Sequence, residues 1–216
     1  MNVERKITYL EIEEVIRLVR SMPNLRDKLI ILLLYETGCS VTELINILSR
    51  NIKPKTNEII IENSVRTNEK RTVKVSKELI NTIKLYILEK KKEKSVASQF
   101  LLSTRQSVSM TQKRIQQIVS VYRIKSGALS GERITPQILR YTHIAHAYEK
   151  EVGINEITRQ VGLKRSRAIE IFSQLKSETR NYGRFFEKNP LGKNIMTEGA
   201  AVKKSSARNK IILKNE

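Results

Sequence analysis

The apolar positions near the start of the chain recur with a helical period. Ile12, Val15, Ile16 and Val19 share one face behind Thr8 and Glu11, which have capping-box spacing, and Pro23 closes the segment. A second helix is expected from Asn24 or Leu25 through Tyr35. Its stretch from Leu29 to Leu34 is apolar on every side, which places it in the middle of a core, and Gly38 terminates it. Thr42 to Leu48 predicts a short third helix with Leu44, Ile45 and Leu48 turned inward. The period then shortens to that of a strand. Glu58 to Glu62 is a β-branched run and Arg71 to Val75 alternates, which predicts a β-hairpin carrying Arg66, Lys70 and Arg71 at or near its tip.

Helical spacing returns for Lys77 to about Glu93, for Thr111 to Lys125 with Gly127 as terminator, and for Thr135 to Val152 with Pro136 at the first helical position. Asn155 to Val161 and Ser166 to about Thr179 complete the set. The lysines from Lys90 to Lys94 complement a helix dipole and so have a structural explanation. From Asn189 the pattern fades. Lys193, Lys203, Lys204, Arg208, Lys210 and Lys214 stand against only Glu198 and Glu216, as in a flexible basic arm, with Ile211 to Leu213 as a small docking element. The expected organisation is a mainly α domain with a small β-hairpin sheet over 1–188, followed by a tail over 189–216.

Composition narrows the function. In 216 residues, 41 Lys and Arg face 22 Asp and Glu, a formal net charge of +19. Such an excess suits a polyanion, because each cation docked on a phosphate releases condensed counterions. Glu does not keep pace with Lys, which argues against the balanced Lys/Glu surface of heat-adapted proteins. No apolar run approaches the roughly 20 residues of a membrane span, and Met1 to Lys6 is charged rather than signal-like. A cytoplasmic, DNA-associated protein with no membrane partner is therefore expected. The single cysteine, Cys39, forms neither an internal disulfide nor a Cys-rich zinc site. His143, His146 and Glu149 share a helical face, but two histidines without a third strong ligand read as packing residues. No metal or cofactor is expected.

The motifs gain meaning from their order. Thr37-Gly38-Cys39-Ser40-Val41-Thr42-Glu43-Leu44 joins an apolar helix to a polar turn. The hairpin follows, then Ile134-Thr135-Pro136-Gln137-Ile138-Leu139-Arg140-Tyr141-Thr142, then a short helix ending in Val161-Gly162-Leu163, then a helix centred on Phe172. From about residue 7 to 186 this succession resembles the catalytic domain of the tyrosine recombinases, the phage integrase family. That family reads T-G-x-R-x-x-E-L at the first turn, carries a lysine in the hairpin, and reads H-x-L-R-H-T in the later helix. It then reads L-G-H, with a nucleophilic tyrosine nine residues past that histidine.

The resemblance implies a metal-free cleavage in which tyrosine attacks a DNA phosphodiester, arginines and histidines stabilise the anionic transition state, and lysine protonates the departing oxygen. The fold-bearing positions Gly38, Glu43, Leu44, Leu139, Thr142 and Gly162 match the family pattern. The chemical positions do not. Ser40 stands for the first arginine, Arg66 for or near the hairpin lysine with Lys70 as the nearest lysine, and Gln137 for the first histidine. Tyr141 stands for the histidine after Arg140, Leu163 for the L-G-H histidine, and Phe172 for the tyrosine. Arg140 alone is kept.

A duplex-DNA-binding descendant that has lost strand cleavage is the expected function, with Arg140, Arg66, Lys70, Arg71, Lys164, Arg165 and Arg167 as the DNA-binding residues. Arg140 could equally be the partner of a structural carboxylate such as Glu43. Because the resemblance begins near Ile7, the family's N-terminal DNA-binding domain is expected to be absent, and self-association through the C-terminal region to compensate. Three other readings compete. An active recombinase could use a displaced nucleophile, for which Tyr182 is the candidate. Ile154 to Ile169 has helix-turn-helix rhythm, with Lys164, Arg165 and Arg167 opening the second helix as in a transcriptional regulator. A basic RNA-binding protein would carry the same charge.

Overall fold

The computed structural model describes residues 7–62, 70–92, 98–104, 106–126 and 134–179. Among them the elements run α1 (Ile12–Arg20), α2 (Leu25–Thr37), α3 (Val41–Ile45), a 3-10 turn (Ser49–Asn51), β1 (Ile52–Lys53), β2 (Glu58–Glu62), β3 (Lys70–Lys74), α4 (Lys77–Lys92), α5 (Gln112–Ser126), α6 (Pro136–Glu149), α7 (Ile154–Val161) and α8 (Arg165–Thr179). The expected mainly helical fold with a small sheet is present. The tail from 189, Tyr182 and Arg66 lie outside the described residues.

Helix α2 is the axis of the main core. The Asn24 side chain accepts the backbone N–H groups of Arg26 and Asp27 at its start, and Gly38 ends it in the left-handed conformation at φ 58°. Leu29, Ile30, Ile31, Leu33 and Leu34 are wholly buried, packed among α1, α3, α4, α5 and α6. A helix apolar on every side can only sit inside such a surround. A Cβ at Gly38 would come within 2.7 Å of His143 Cδ2. Close approach as well as dihedral freedom therefore demands glycine where α2 turns into α3.

Several boundaries differ from the sequence pattern. At α1 the reciprocal bond forms one turn later than Thr8 and Glu11 suggested: Glu14 Oε2 accepts the Glu11 N–H at 2.8 Å. Helix α3 stops at Ile45, and Leu48 instead bridges to Phe100. The sheet gains β1, too short to show a period, in the antiparallel order β1-β2-β3. β2 and β3 pair Ile59 with Val73 and Ile61 with Arg71. Ile59, Ile61 and Val73 fill the core face, so alternation turns Arg71 inward with them. Arg71 thus belongs to the strand and not to an exposed tip, while Lys70 points outward and pairs with Glu62 at 3.1 Å.

A second, smaller core joins α6, α7 and α8. Ile144, Ile157, Val161, Ile171, Phe172 and Leu175 meet there with Ile7 from the N-terminal segment. That segment is tied to the helices by its backbone: the Leu10 N–H reaches Thr142 Oγ1 and the Ile7 N–H reaches Gln174 Oε1, each at 3.0 Å. Between the two cores stands the polar cluster that unites α3, β3, α6 and α7.

Candidate functional site

Ser40 begins this cluster. Its Oγ accepts the Glu43 N–H at 3.3 Å while Glu43 Oε2 accepts the Ser40 N–H at 2.7 Å, a reciprocal cap on α3. The serine is thereby used as a helix start. Glu43 is also the acceptor for two arginines. Arg71 Nη1 donates to its Oε1 at 2.5 Å, and Arg140 Nη1 stands 3.5 Å from its Oε2. Both guanidinium groups then reach the end of α7, with Arg71 Nε donating to Gln160 O at 2.7 Å and Arg140 Nη2 to Val161 O at 3.0 Å. Carbonyls at a helix C-terminus carry the negative end of the dipole, so they suit this role.

The cluster is enclosed: the side chains of Arg71, Glu43 and Arg140 are 10%, 7% and 11% exposed. Burial by itself would raise the Glu43 carboxyl. The Arg71 hydrogen bond and charge, the Ser40 N–H and the Arg140 charge overcome it and hold the group below the ordinary carboxylate range. Burial depresses Arg140, with Glu43 opposing the shift. Gly162, in the left-handed conformation at φ 67°, makes room for the arrangement, since a Cβ there would lie 2.9 Å from Arg71 Nη1.

The remaining motif positions serve packing or surface roles. Gln137 is exposed in the first turn of α6, which Thr135 caps through the Ile138 N–H. Tyr141 is half-buried and its hydroxyl accepts from Arg167 Nη2, while the Arg167 guanidinium lies 5.9 Å from the ring centroid. Leu163 packs against the smaller core. Phe172 is 4% exposed, with its ring centroid 5.6 Å from that of Tyr148. The position nine residues past Leu163 therefore holds an apolar ring inside a core and offers no oxygen to a substrate.

His143 and His146 are buried too. His143 Nδ1 lies 2.9 Å from Tyr35 O, and His146 Nδ1 lies 3.0 Å from Tyr35 Oη. Burial pushes both imidazoles down to about 4, so they are neutral at ordinary pH. Among the described residues no group of three or more His, Cys, Asp or Glu could hold a metal ion.

The expected DNA-binding residues separate into two sets. Arg140 and Arg71 are brought together on Glu43. Lys70, Lys164 and Arg167 stay nearer solvent, Arg167 also pairing with Glu170. Arg165 opens α8. Sequence reasoning passed over Lys113 and Arg114, exposed in the first turn of α5. Gln112 Nε2 donates to Thr42 Oγ1 at 3.0 Å and so sets that turn beside α3. The signal was present in the period of α5, since Ile115, Ile118, Val119 and Tyr122 form its buried face and leave both cations outside.

The phage integrase family model matches residues 7–178. The chain belongs to the phage integrase family. Among its relatives in that family, the tyrosine recombinase XerA of Pyrococcus horikoshii is 28% identical over 163 residues, covering 76% of this chain and 55% of that protein. The chain thus spans about half the length of the curated relatives it matches. A crystal structure of XerA recombinase superposes with a TM-score of 0.70 at 20% identity, over 82% of this chain and 65% of that one. The XerH site-specific recombinase bound to a palindromic difH substrate, in a post-cleavage complex, also gives 0.70, at 16% identity over 85% of this chain and 54% of that one. These integrase structures share the mainly helical fold with its small antiparallel sheet. Among the described residues no helix is long and apolar enough to cross a membrane.

Proposed function

We propose that this chain binds duplex DNA with the integrase catalytic fold and does not cleave it. The carrying observation is Phe172, which stands in the nucleophile position with its ring packed in the smaller core. Cleavage by the family's chemistry needs a hydroxyl there, together with cations converging on the scissile phosphate. Ser40, Gln137 and Leu163 supply neither charge nor a titratable proton, and Ser40 is engaged as a helix cap. A net charge of +19 nevertheless persists, and backbone recognition of DNA requires little else.

The exposed cations Lys164, Arg167 and Lys70, with Lys113 and Arg114 beside α3, are the surface offered to the duplex. Arg66 and Arg165 are retained as further DNA contacts on sequence grounds alone. The domain is taken as 1–188. The tail from 189 serves DNA or a second copy of the chain, and the protein resides with the DNA it binds.

Fluorescence anisotropy on a labelled duplex with unlabelled RNA as competitor tests this reading. Tight, salt-dependent duplex binding that RNA does not displace at equal concentration is expected. The double substitution Lys164→Gln/Arg167→Gln should weaken binding about tenfold or more near physiological salt and reduce the magnitude of the salt slope by about 2. RNA outcompeting the duplex, or a double variant indistinguishable from the native chain, would refute the assignment.

A further inference from the structure

Helix α4 carries apolar residues on two faces, and the main core covers one of them. Leu79, Ile80, Ile83 and Tyr86 are buried there, where the helix packs on α2. The start of the helix is held in place. Ser76 Oγ accepts the Leu79 N–H at 3.0 Å, while the Glu36 carboxyl oxygens accept the Ser76 N–H and hydroxyl at 2.7 and 2.9 Å. On the outer side Leu85 and Leu88 stand one turn apart, 55% and 54% exposed. Of the large hydrophobic residues exposed among the described residues, only these two share a helix. A lone exposed leucine needs no explanation, but two on the face that an amphipathic helix gives to polar residues form a seam.

The seam has the spacing of a coiled coil. Glu78, Asn81, Leu85, Leu88 and Lys92 recur at alternating intervals of three and four residues, and all are exposed. Lys84 borders the leucines on one flank and Glu89 on the other, both exposed as well. When two identical helices run parallel, each flank faces the opposite flank of its neighbour. Lys84 of one copy then meets Glu89 of the second, and the two-fold axis repeats the pair. Run antiparallel, like flanks would meet, Lys84 against Lys84 and Glu89 against Glu89. The parallel arrangement also stacks Leu85 and Leu88 on their own counterparts. Asn81 joins them as the single polar core residue that fixes register in such pairs.

We propose that α4 is a self-association face, on which a second copy of the chain docks its own α4 in parallel through Leu85 and Leu88, oriented by Lys84 and Glu89. None of the cations assigned to the duplex lies on this helix. Two leucines from each copy make a contact well below the roughly 1,200 Å² of a stable interface, so the dimer is weak, with a Kd on the order of 100 µM.

Sedimentation velocity from about 10 µM to about 1 mM tests this, at about 0.3 M salt, where long-range repulsion between +19 copies is screened and contact pairs persist. The average mass should climb from monomer toward dimer. Leu85→Gln/Leu88→Gln alters exposed positions only, so it should keep the native urea midpoint and stay monomeric throughout. Lys84→Glu and Glu89→Lys should each weaken the dimer roughly fivefold, and the two together should return it to within about twofold of the native chain. These single changes move net charge in opposite directions, so a general charge effect would split them where the proposal has both weaken. A native chain monomeric at every concentration overturns the proposal. So does association that survives Leu85→Gln/Leu88→Gln, since the contact would then lie elsewhere, for example in the C-terminal region. A monomer destabilised by that double change would have a segment of its own chain on the seam, which rejects the second copy as occupant. Failure of the double charge reversal to recover the dimer rejects the parallel pairing.

Discussion

Replacing Glu43 with alanine is expected to cost about 3–5 kcal/mol of folding stability, the usual consequence of removing one partner from a buried ion pair. Two effects coincide at this residue. Its Oε2 accepts the Ser40 N–H and caps α3, and its carboxylate is the shared counter-charge for Arg71 and Arg140. Without it, two enclosed guanidinium groups face each other with only the α7 carbonyls as acceptors. Since domains of this kind are stable by roughly 5–15 kcal/mol, the variant should unfold at a much lower urea concentration or fail to accumulate. Glu156→Ala is the matched control. It removes an exposed pair with Arg159 three residues away and should cost no more than about 0.5 kcal/mol. A loss below about 1 kcal/mol for Glu43→Ala would show that the cluster does not hold α3, β3, α6 and α7 together.

Between pH 7 and 4 two opposed sets of buried groups should act on stability, the histidines losing it and the carboxyls regaining it as pH falls. His143 and His146 have folded pKa values pushed down to about 4 by burial, against an ordinary value of 6.5. A base with a depressed folded pKa contributes full stability above the unfolded value and loses it as pH falls toward the folded one. Each ring accounts for at most about 3 kcal/mol over that interval. Glu36 and Glu149 have the opposite sign. Burial raises both to about 7, so their cost is greatest above that pH and is relieved as pH falls toward 4.5. Urea denaturation across pH 4–8 should therefore show His146→Gln gaining stability toward acid relative to the native chain and Glu149→Gln losing it, with Glu149→Gln more stable than the native chain at pH 8. A pH profile unchanged in His146→Gln would mean that the ring titrates in the folded protein as it does in the unfolded chain.

What could be read from the sequence followed from local periodicity. The apolar stretch from Leu29 to Leu34 marked the central helix because no other environment accepts a helix apolar on every side. The β-branched run from Glu58 to Glu62 marked β2 for the same kind of reason. β1 escaped because two residues carry no period, and its place is set by pairing Ile52 with Ile59. At the site, Ser40, Gln137, Arg140, Leu163 and Phe172 were singled out by the resemblance to the family's motifs, which periodicity does not supply. Arg71 was harder. Its neighbours Lys70 and Arg66 made it look like one of a cationic cluster at a hairpin tip, although strict alternation with Val73 already placed it on the buried face. Its partner Glu43 is 28 residues away and its other acceptor, Gln160 O, is 89 residues away. Contacts of that range arise from packing β3 against α7, and no local pattern encodes them.

The proposed loss of cleavage is tested most directly by trapping. The native chain is incubated with a nicked suicide duplex, in which any cleaved strand leaves irreversibly, and the products are resolved under denaturing conditions. All protein is expected to migrate free of DNA, because Phe172, nine residues past Leu163, carries no hydroxyl and is buried in the smaller core. A covalent protein–DNA adduct that forms reproducibly and disappears in Tyr182→Phe would establish an active recombinase with a displaced nucleophile in place of a DNA binder.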